Sequence, residues 1–435
     1  SRTPVVGEPT YDLMHGVKTG VKDVLAPQGL FSDLGLKYVG PVDGHDIGDL
    51  ERALEAAHQF EGPVVVHCYT QKGKGFRAAE EHELDRFHAV GQIDAVTGEP
   101  VTASGRRTWT EAFSDAIIDL ARADERVCAI TAAMLHPTGL DRLKAELPER
   151  VFDVGIAEQH GVTFAAGLAR GGFHPVFAVY STFLNRAFDQ LLMDVALHRL
   201  GVTFVLDRAG VTGPDGPSHN GQWDHALAGI VPGLWLAAPR DEPRLVEALA
   251  RAVTIDDAPS VVRFSKEAVP APRDAVARHG SVDVLASAPG ARVLVVGYGQ
   301  FAGLAVEVAE RMGSHGIPAT VVDPVWALPV SSDLLAECAA HDVVVTIEDA
   351  GVAGGLGAAL ALAARQGGLD VPVYPLGIAK RFLSQGSRGE VLADLGLTAQ
   401  ALAVEAVGIA ARHLSAADDA EPSDEREGHE QRHHG

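Results

Sequence analysis

The sequence predicts an α/β protein with mostly parallel sheets, built from consecutive units. Three observations carry that expectation. From residue 105 onward, short strand-like runs alternate with helix-length runs, the pattern of parallel strands joined by crossover helices. Hydrophobic residues make up 46% of the chain, which suits sheets covered on both faces. The length, 435 residues, exceeds what one core holds, so two or three domains are expected.

The first unit is expected over residues 1–104. In it, "DIGDLERALEAAHQF" (46–60) has helical apolar spacing, and "GPVVVHCYT" (62–70) is a β-branched run opened by Gly62 and Pro63, hence a strand. The charged, aperiodic stretch from Thr70 to Gly98 is expected to be a loop. The second unit, 105–266, opens with the helix "RRTWTEAFSDAIIDLARAD". The strands "RVCAIT", "RVFDVG", "HPVFAVYS" and "GVTFVLDR" follow, with "HGVTFAAGLARGG" and "TFLNRAFDQLLMDVALHRLG" as helices, and "PSVVRFSK" closes the unit as a late strand. Proline, alanine and serine dominate 267–290, a linker by composition. The third unit, 291–414, alternates again through "ARVLVVGYG", "ATVVDP", "DVVVTIED" and "VPVYPLG". The remainder, 415–435, is acidic and poor in apolar residues, so disorder is expected there.

The net charge of −22 argues against non-specific binding to nucleic acid or anionic membranes, which needs basic patches. No apolar run reads as membrane-spanning and no signal peptide opens the chain. Cys68, Cys128 and Cys338 match no zinc or redox spacing and read as reduced packing residues of a cytoplasmic protein.

Ligands of open α/β sheets bind outside the carboxyl ends of the strands. Glu158 follows "RVFDVG"; Tyr180, Phe183 and Arg186 follow "HPVFAVYS"; Arg208 follows "GVTFVLDR". The loop "AGVTGPDGPSHNGQWD" carries Asp215 and His219, and Arg263 lies in the late strand. Singly, each residue has a structural alternative: Glu158 caps a helix, Tyr180 packs in a core, Arg186 lies on a helix surface, and His219 caps a turn. Together, three arginines with a tyrosine, an aspartate and a histidine at one sheet edge read as a site for a phosphorylated anion.

These residues also carry a resemblance. "GIAEQH", "VYSTFLNRAFDQ", "DRAGVTGPDGPSHNGQWD" and "VVRFSK" resemble the 1-deoxy-D-xylulose-5-phosphate synthases, thiamine-diphosphate enzymes of the transketolase type. "LGLKYVGPVDGHD", "KGKGF" and "FHAVG" fit the same family, as do "VVDPVWALPV" and "VAGGLG" further on. The resemblance covers nearly the whole chain. It implies consecutive transketolase-like domains, the first incomplete, then a pyrimidine-binding and a carboxy-terminal domain. It implies a transferase that decarboxylates pyruvate and passes a two-carbon unit to D-glyceraldehyde 3-phosphate, at the head of isoprenoid, thiamine and pyridoxal synthesis.

By the same resemblance, Glu158 hydrogen-bonds N1′ of the cofactor's aminopyrimidine and so helps the neighbouring amine take the proton from thiazolium C2. Phe183 stacks on the aminopyrimidine. Tyr180, Arg208, Asp215 and Arg263 bind the phosphate-bearing substrate or order its site, Arg186 contacts the bound intermediate, and His219 carries a proton or orients substrate. Lys72 and His88 lie near the diphosphate and the site mouth, and His45 of "DGHD" is expected to be structural. A homodimer is implied. Gly161 stands where the family commonly has alanine, and a small loss of helix stability is expected from it.

The family anchors its cofactor through Mg2+ on a Gly-Asp-Gly motif, and no Gly-Asp-Gly occurs in these 435 residues, so the metal ligands are expected in an amino-terminal segment or subunit. Three rival readings remain open: the carboxy-terminal subunit of a split or inactive transketolase-like enzyme, a 2-oxoacid dehydrogenase β-type subunit, and a dinucleotide site at "GYGQFA" (297–302).

Overall fold

The fold is that of a computed structural model, which describes residues 28–82, 86–88, 90, 92–99, 101 and 105–418. It divides into two compact units, Ser1–Gly105 and Arg106–Gly435.

In the first unit, β1 (Lys37–Asp43) pairs in parallel with β2 (Val64–Tyr69), and the helix Ile47–His58 makes the crossover. Asp46 starts that helix by accepting the Asp49 N–H at 3.0 Å. Among the described residues of this unit only Ala53 and Ala79 are buried, and most residues of the two strands are half-buried. The stretch expected to be a loop contains a short helix, Arg77–Glu80. His45 holds the turn that follows β2, its Nε2 accepting the Gln71 N–H at 2.7 Å.

In the second unit, the helix Trp109–Ala123 is fixed by a capping box: Glu111 N–H donates to Thr108 Oγ1 and Thr108 N–H to the Glu111 carboxylate. The first sheet contains β3 (Val127–Thr131), β4 (Val151–Asp153), β5 (His174–Tyr180), β6 (Thr203–Asp207), β7 (Trp235–Ala237) and β8 (Ser260–Arg263), all parallel. Every residue of β5 and β6 is buried, as befits central parallel strands with helices on both faces.

The second sheet runs, in spatial order, β9 (Ala277–His279), β10 (Val282–Ser287), β12 (Ala319–Asp323), β11 (Val293–Gly297), β14 (Val343–Gly351) and β15 (Val373–Ile378). β11, β12, β14 and β15 are parallel, while β9 and β10 pair antiparallel at one edge. β13 (Trp326–Leu328) crosses over and pairs antiparallel with β7 of the first sheet. A shared core joins both sheets through residues such as Leu206, Val261, Val296 and Val322.

Four sequence expectations change. The stretch 267–290, read as a linker, supplies β9 and β10, because β10 pairs with β12 and is covered on both faces, Val282 and Val284 packing in one core and Leu285 in another. The long helix expected after β5 is broken. Residues Ser181–Ala187 form a 3₁₀ segment, and Leu191–Ala196 widens to a π-helical turn. The first turn is held elsewhere: Ser181 Oγ donates to Asp224 at 3.1 Å and Thr182 Oγ1 to the Ser218 carbonyl at 3.0 Å. Residues 388–414 are apolar and long enough by composition to cross a membrane, contrary to the sequence reading. They are two helices, Arg388–Asp394 and Ala399–Asp418, and the second buries Leu402, Ala406 and Ile409 in a core with Met312. Residues 415–418 of the expected disordered tail continue that second helix; 419–435 lie outside the described residues, as do 1–27.

Cys128 and Cys338 are buried and Cys68 half-buried, all as free thiols.

Candidate functional site

Parallel pairing puts the carboxyl ends of β4, β3, β5, β6 and β8 on one edge of the sheet. At the end of β5, the Tyr180 ring stacks on Phe183 with centroids 5.9 Å apart, and Phe183 meets the His219 ring edge-on at 5.6 Å. Tyr180 is paired across the sheet with Asp207, so the next residue, Arg208, emerges beside it. The Arg208 guanidinium lies over the Tyr180 ring, 3.9 Å from its centroid.

Arg208 adopts a φ of 59°, a conformation that costs a non-glycine residue of order 1 kcal/mol and persists only where its surroundings hold it. Here the next N–H, that of Ala209, bonds the Phe264 carbonyl at 2.9 Å, and Gly210 and Gly221 exchange two backbone hydrogen bonds. Those bonds close the base of the loop that carries Asp215 and His219. Inside it, Asn220 Oδ1 accepts the Thr212 N–H at 2.9 Å. A Cβ on Gly221 would stand 2.6 Å from Ser181 Cβ, so the loop lies directly on the 3₁₀ segment.

Arg208 donates to Asp215 at 3.2 Å, and Lys266 donates to both oxygens of the same carboxylate at 2.9 Å. Burial works against the charged form of Asp215, but the Lys266 hydrogen bond and charge, with Arg208, outweigh it and hold the carboxyl below its usual range. Two cations thus share one anion at the strand ends, and the group keeps a net positive charge suited to a phosphate. Burial pushes the Tyr180 phenol up to about 12, so it stays a neutral hydrogen-bonding group.

Glu158 opens the helix Glu158–Arg170 and is 3% exposed. Its Oε2 is buried and has no hydrogen-bond partner among the described residues. Such an atom costs free energy unless a ligand completes it. The helix packs against the segment Ser181–Ala187 that bears Phe183.

The structure therefore brings together Tyr180, Phe183, Arg208, Asp215 and His219, and sets Glu158 on the adjoining helix. Arg186 is exposed on the 3₁₀ segment. Arg263, expected to bind the phosphate-bearing substrate or to order its site, stands in a separate cluster. It is 4% exposed, donates from Nε to Asp224 and from its terminal nitrogen to Asp349, each at 2.7 Å, and makes a buried ion cluster. Lys266, three residues on, is the second cation instead. The rule that picked the other residues, position just past a strand's carboxyl end, would also have found Lys266; Arg263 lies within β8 itself. Asp207, fully buried with Thr110 Oγ1 donating to it at 2.7 Å, was also missed. Lys72 and His88 belong to the amino-terminal unit, and both are exposed.

Comparison with known proteins finds three family matches along the chain. Residues 1–70 match the family described as 1-deoxy-D-xylulose-5-phosphate synthase, 106–272 the transketolase pyrimidine binding domain, and 280–402 the transketolase C-terminal domain. The chain is 57% identical over 414 residues to 1-deoxy-D-xylulose-5-phosphate synthase 2 of Streptomyces coelicolor, covering 94% of this chain and 64% of that protein. It is 53% identical over 438 residues to the 1-deoxy-D-xylulose-5-phosphate synthase of Frankia casuarinae, covering 98% of this chain and 67% of that one. Among solved structures, one described as a split gene transketolase, inactive beta4 tetramer, superposes with a TM-score of 0.60 at 28% identity, covering 72% of this chain and 99% of that one. The chain spans about two thirds of the length of these curated synthases. The sequence, the fold and the strand-end site agree with these matches, and the chain belongs to the 1-deoxy-D-xylulose-5-phosphate synthase family.

Proposed function

We propose that this chain carries the pyrimidine-binding and acceptor-binding half of a thiamine-diphosphate-dependent synthase that decarboxylates pyruvate and transfers the two-carbon unit to D-glyceraldehyde 3-phosphate. The observation that carries this reading is Glu158, a buried carboxylate whose Oε2 lacks a partner at the start of a helix. That is what a group reserved for a ligand nitrogen requires. When bound, thiamine diphosphate supplies the carbon nucleophile and accepts the electron pair released with carbon dioxide.

The chain's own residues then do the following. Glu158 Oε2 would hydrogen-bond the aminopyrimidine N1′. Phe183, braced by Tyr180 and His219, offers an aromatic ring for stacking. Arg208 and Lys266 grip the acceptor's phosphate, with Asp215 holding both cations in place. His219 orients the reacting carbons or moves a proton among them. Arg186, exposed, is available to a bound intermediate, whereas Arg263 acts through Asp224 and Asp349 as a positioning residue. Lys72 and His88 are assigned to the diphosphate side.

Among the described residues no cluster of histidines, cysteines and acids forms a metal site, and Mg2+ is assigned to an amino-terminal segment bearing Gly-Asp-Gly. The family profiles support a pyrimidine-binding domain near 105–266 and a carboxy-terminal domain near 291–414. We assign the protein to the cytoplasm and to a homodimer; the exposed Ile156, Met193 and Leu197 offer apolar surface for a second copy. A second reading, a subunit of a two-component enzyme, is favoured by the 99% coverage of the split-gene transketolase chain.

The test combines the chain with an amino-terminal segment carrying the metal motif and measures carbon dioxide release from pyruvate. Glu158→Ala should lower the rate at least about 100-fold; an unchanged rate removes the assigned role. Calorimetric titration of the chain alone with thiamine diphosphate and Mg2+ should show weak binding, and a micromolar Kd would contradict the division of labour.

A further inference from the structure

The loop 209–224, which bears Asp215 and His219, is backed by the segment 379–388 of the carboxy-terminal half, remote in sequence from every residue of the site. At the base of the loop the support is redundant. Val211 is fully buried in one core with Leu383 and Val391. Arg388 donates to the Val211 carbonyl, and the Gly386 N–H to the Gly213 carbonyl at 3.5 Å. A Cβ on Gly213 would stand 2.6 Å from the Arg388 main-chain nitrogen, so the two stretches of backbone lie in direct contact. At the far end, Gln222 Nε2 donates to the Arg381 carbonyl at 2.9 Å, and the Gly351 N–H to the Gln222 carbonyl at 3.0 Å.

The tip is held differently. The Gly216 N–H donates to the Gly213 carbonyl at 3.1 Å and closes a turn with Pro214 and Asp215 at its centre. The Pro214 carbonyl accepts from Gln385 Nε2 at 2.9 Å, across 171 residues of sequence. That carbonyl and the Asp215 N–H belong to one planar peptide group. The orientation of this central plane is what distinguishes one β-turn type from another, so it is the part of the turn free to rotate. A donor on the carbonyl fixes the backbone from which the Asp215 side chain departs. Asp215 in turn holds both Arg208 and Lys266.

We propose that Gln385 is a positioning residue for the acceptor's phosphate, acting through the Pro214 carbonyl to keep Asp215, and with it Arg208 and Lys266, in register. The inference rests on the assignment of that phosphate to Arg208 and Lys266. Because the base of the loop has several supports, loss of Gln385 frees the tip and leaves the rest in place. Gln385 is exposed, so its replacement leaves the fold intact.

The test uses the chain combined with an amino-terminal segment carrying the metal motif, assayed with D-glyceraldehyde 3-phosphate and with unphosphorylated D-glyceraldehyde as acceptors. Gln385→Met keeps the length of the side chain and removes the donor. It should raise the KM for D-glyceraldehyde 3-phosphate about 3- to 10-fold. In the same variant kcat, the KM for pyruvate and the KM for D-glyceraldehyde should stay within about twofold of the parent. Gln385→Ala, which also lacks the donor, should behave alike, and both variants should melt within about 2 °C of the parent. Where the parent prefers the phosphorylated aldehyde, an unchanged KM for it in Gln385→Met, or an equal rise for both aldehydes, overturns this inference alone. A parent that shows no such preference overturns the phosphate assignment and this inference with it.

Discussion

Arg263 and Lys266 stand three residues apart at the end of β8 and live in opposite electrostatic settings. Arg263 is one cation between two carboxylates, Asp224 and Asp349, all three at most 4% exposed in their side chains. Lys266 and Arg208 are two cations on the single carboxylate of Asp215, with side chains 34%, 22% and 22% exposed. The charges of the first cluster are answered from within the protein, with Arg388 a further cation 3.8 Å from Asp349, although Arg263 Nη2 has no hydrogen-bond partner among the described residues. The second has a cation to spare and faces solvent. The difference separates a group whose charges balance internally from a group left with excess positive charge at the protein surface.

The sharpest way to break this contrast is to remove Arg263. Arg263→Ala leaves two carboxylates buried without their cation and should cost about 3–5 kcal/mol, read as a large fall in melting temperature. A fall no larger than that of an exposed arginine would erase the distinction. Lys266→Ala should do the reverse. Its stability cost should stay within about 1 kcal/mol, while the KM for the phosphorylated acceptor rises about 10- to 100-fold in the complete enzyme. An unchanged KM would leave Arg208 as the phosphate contact.

Asp207 sharpens the comparison through pH. Burial raises its pKa to about 6, offset in part by the Thr110 hydrogen bond and the Arg208 charge. The folded value lies above the unfolded one of about 3.9, so the protonated carboxyl favours folding. Its contribution is fully present below about pH 4 and is lost as pH rises through about 6. Asp207→Asn should therefore be more stable than the parent at pH 8, by up to about 2–3 kcal/mol, with the gap closing toward pH 4. Denaturant titrations at the two pH values read this directly, and a gap independent of pH would count against it.

The smallest effect concerns Gly161. A Cβ there would lie 2.6 Å from Phe177 Cε2, in the middle of the core. Gly161→Ala gains up to about 1 kcal/mol of helix propensity but overpacks a fully buried ring, which costs about 1–3 kcal/mol. A net loss of about 1 kcal/mol is expected. Adding Phe177→Leu should recover part of it, which thermal melts of the single and double variants would show. The sequence alone suggested the opposite sign, that the glycine was the weaker choice.

That reversal shows what was legible and what was not. Alternation of apolar strands and amphipathic helices is written locally, so the layers of the second unit were readable along the chain. Glu158, Tyr180, Phe183, Arg208, Asp215 and His219 were readable as a group because one rule, position past a strand's carboxyl end, selects them. The partners of Arg263 were not, because Asp224 and Asp349 reach it through pairings 39 and 86 residues apart in sequence. Likewise nothing local to Gly161 announces Phe177. The break in the helix after β5 was hidden for the same reason: its amphipathic spacing is intact, and the hydroxyls of Ser181 and Thr182 are claimed by residues about 40 positions away.

The three-residue strand β13 has a thermodynamic consequence. It belongs by sequence to the carboxy-terminal half, yet its ladder is with β7 in the other sheet. Neither half can come apart without exposing the other's unpaired main chain, so a scanning calorimeter should record one endotherm for residues 106–418 rather than two. A fragment ended before Trp326 would carry β7 as a raw border, open to pairing with a neighbouring molecule.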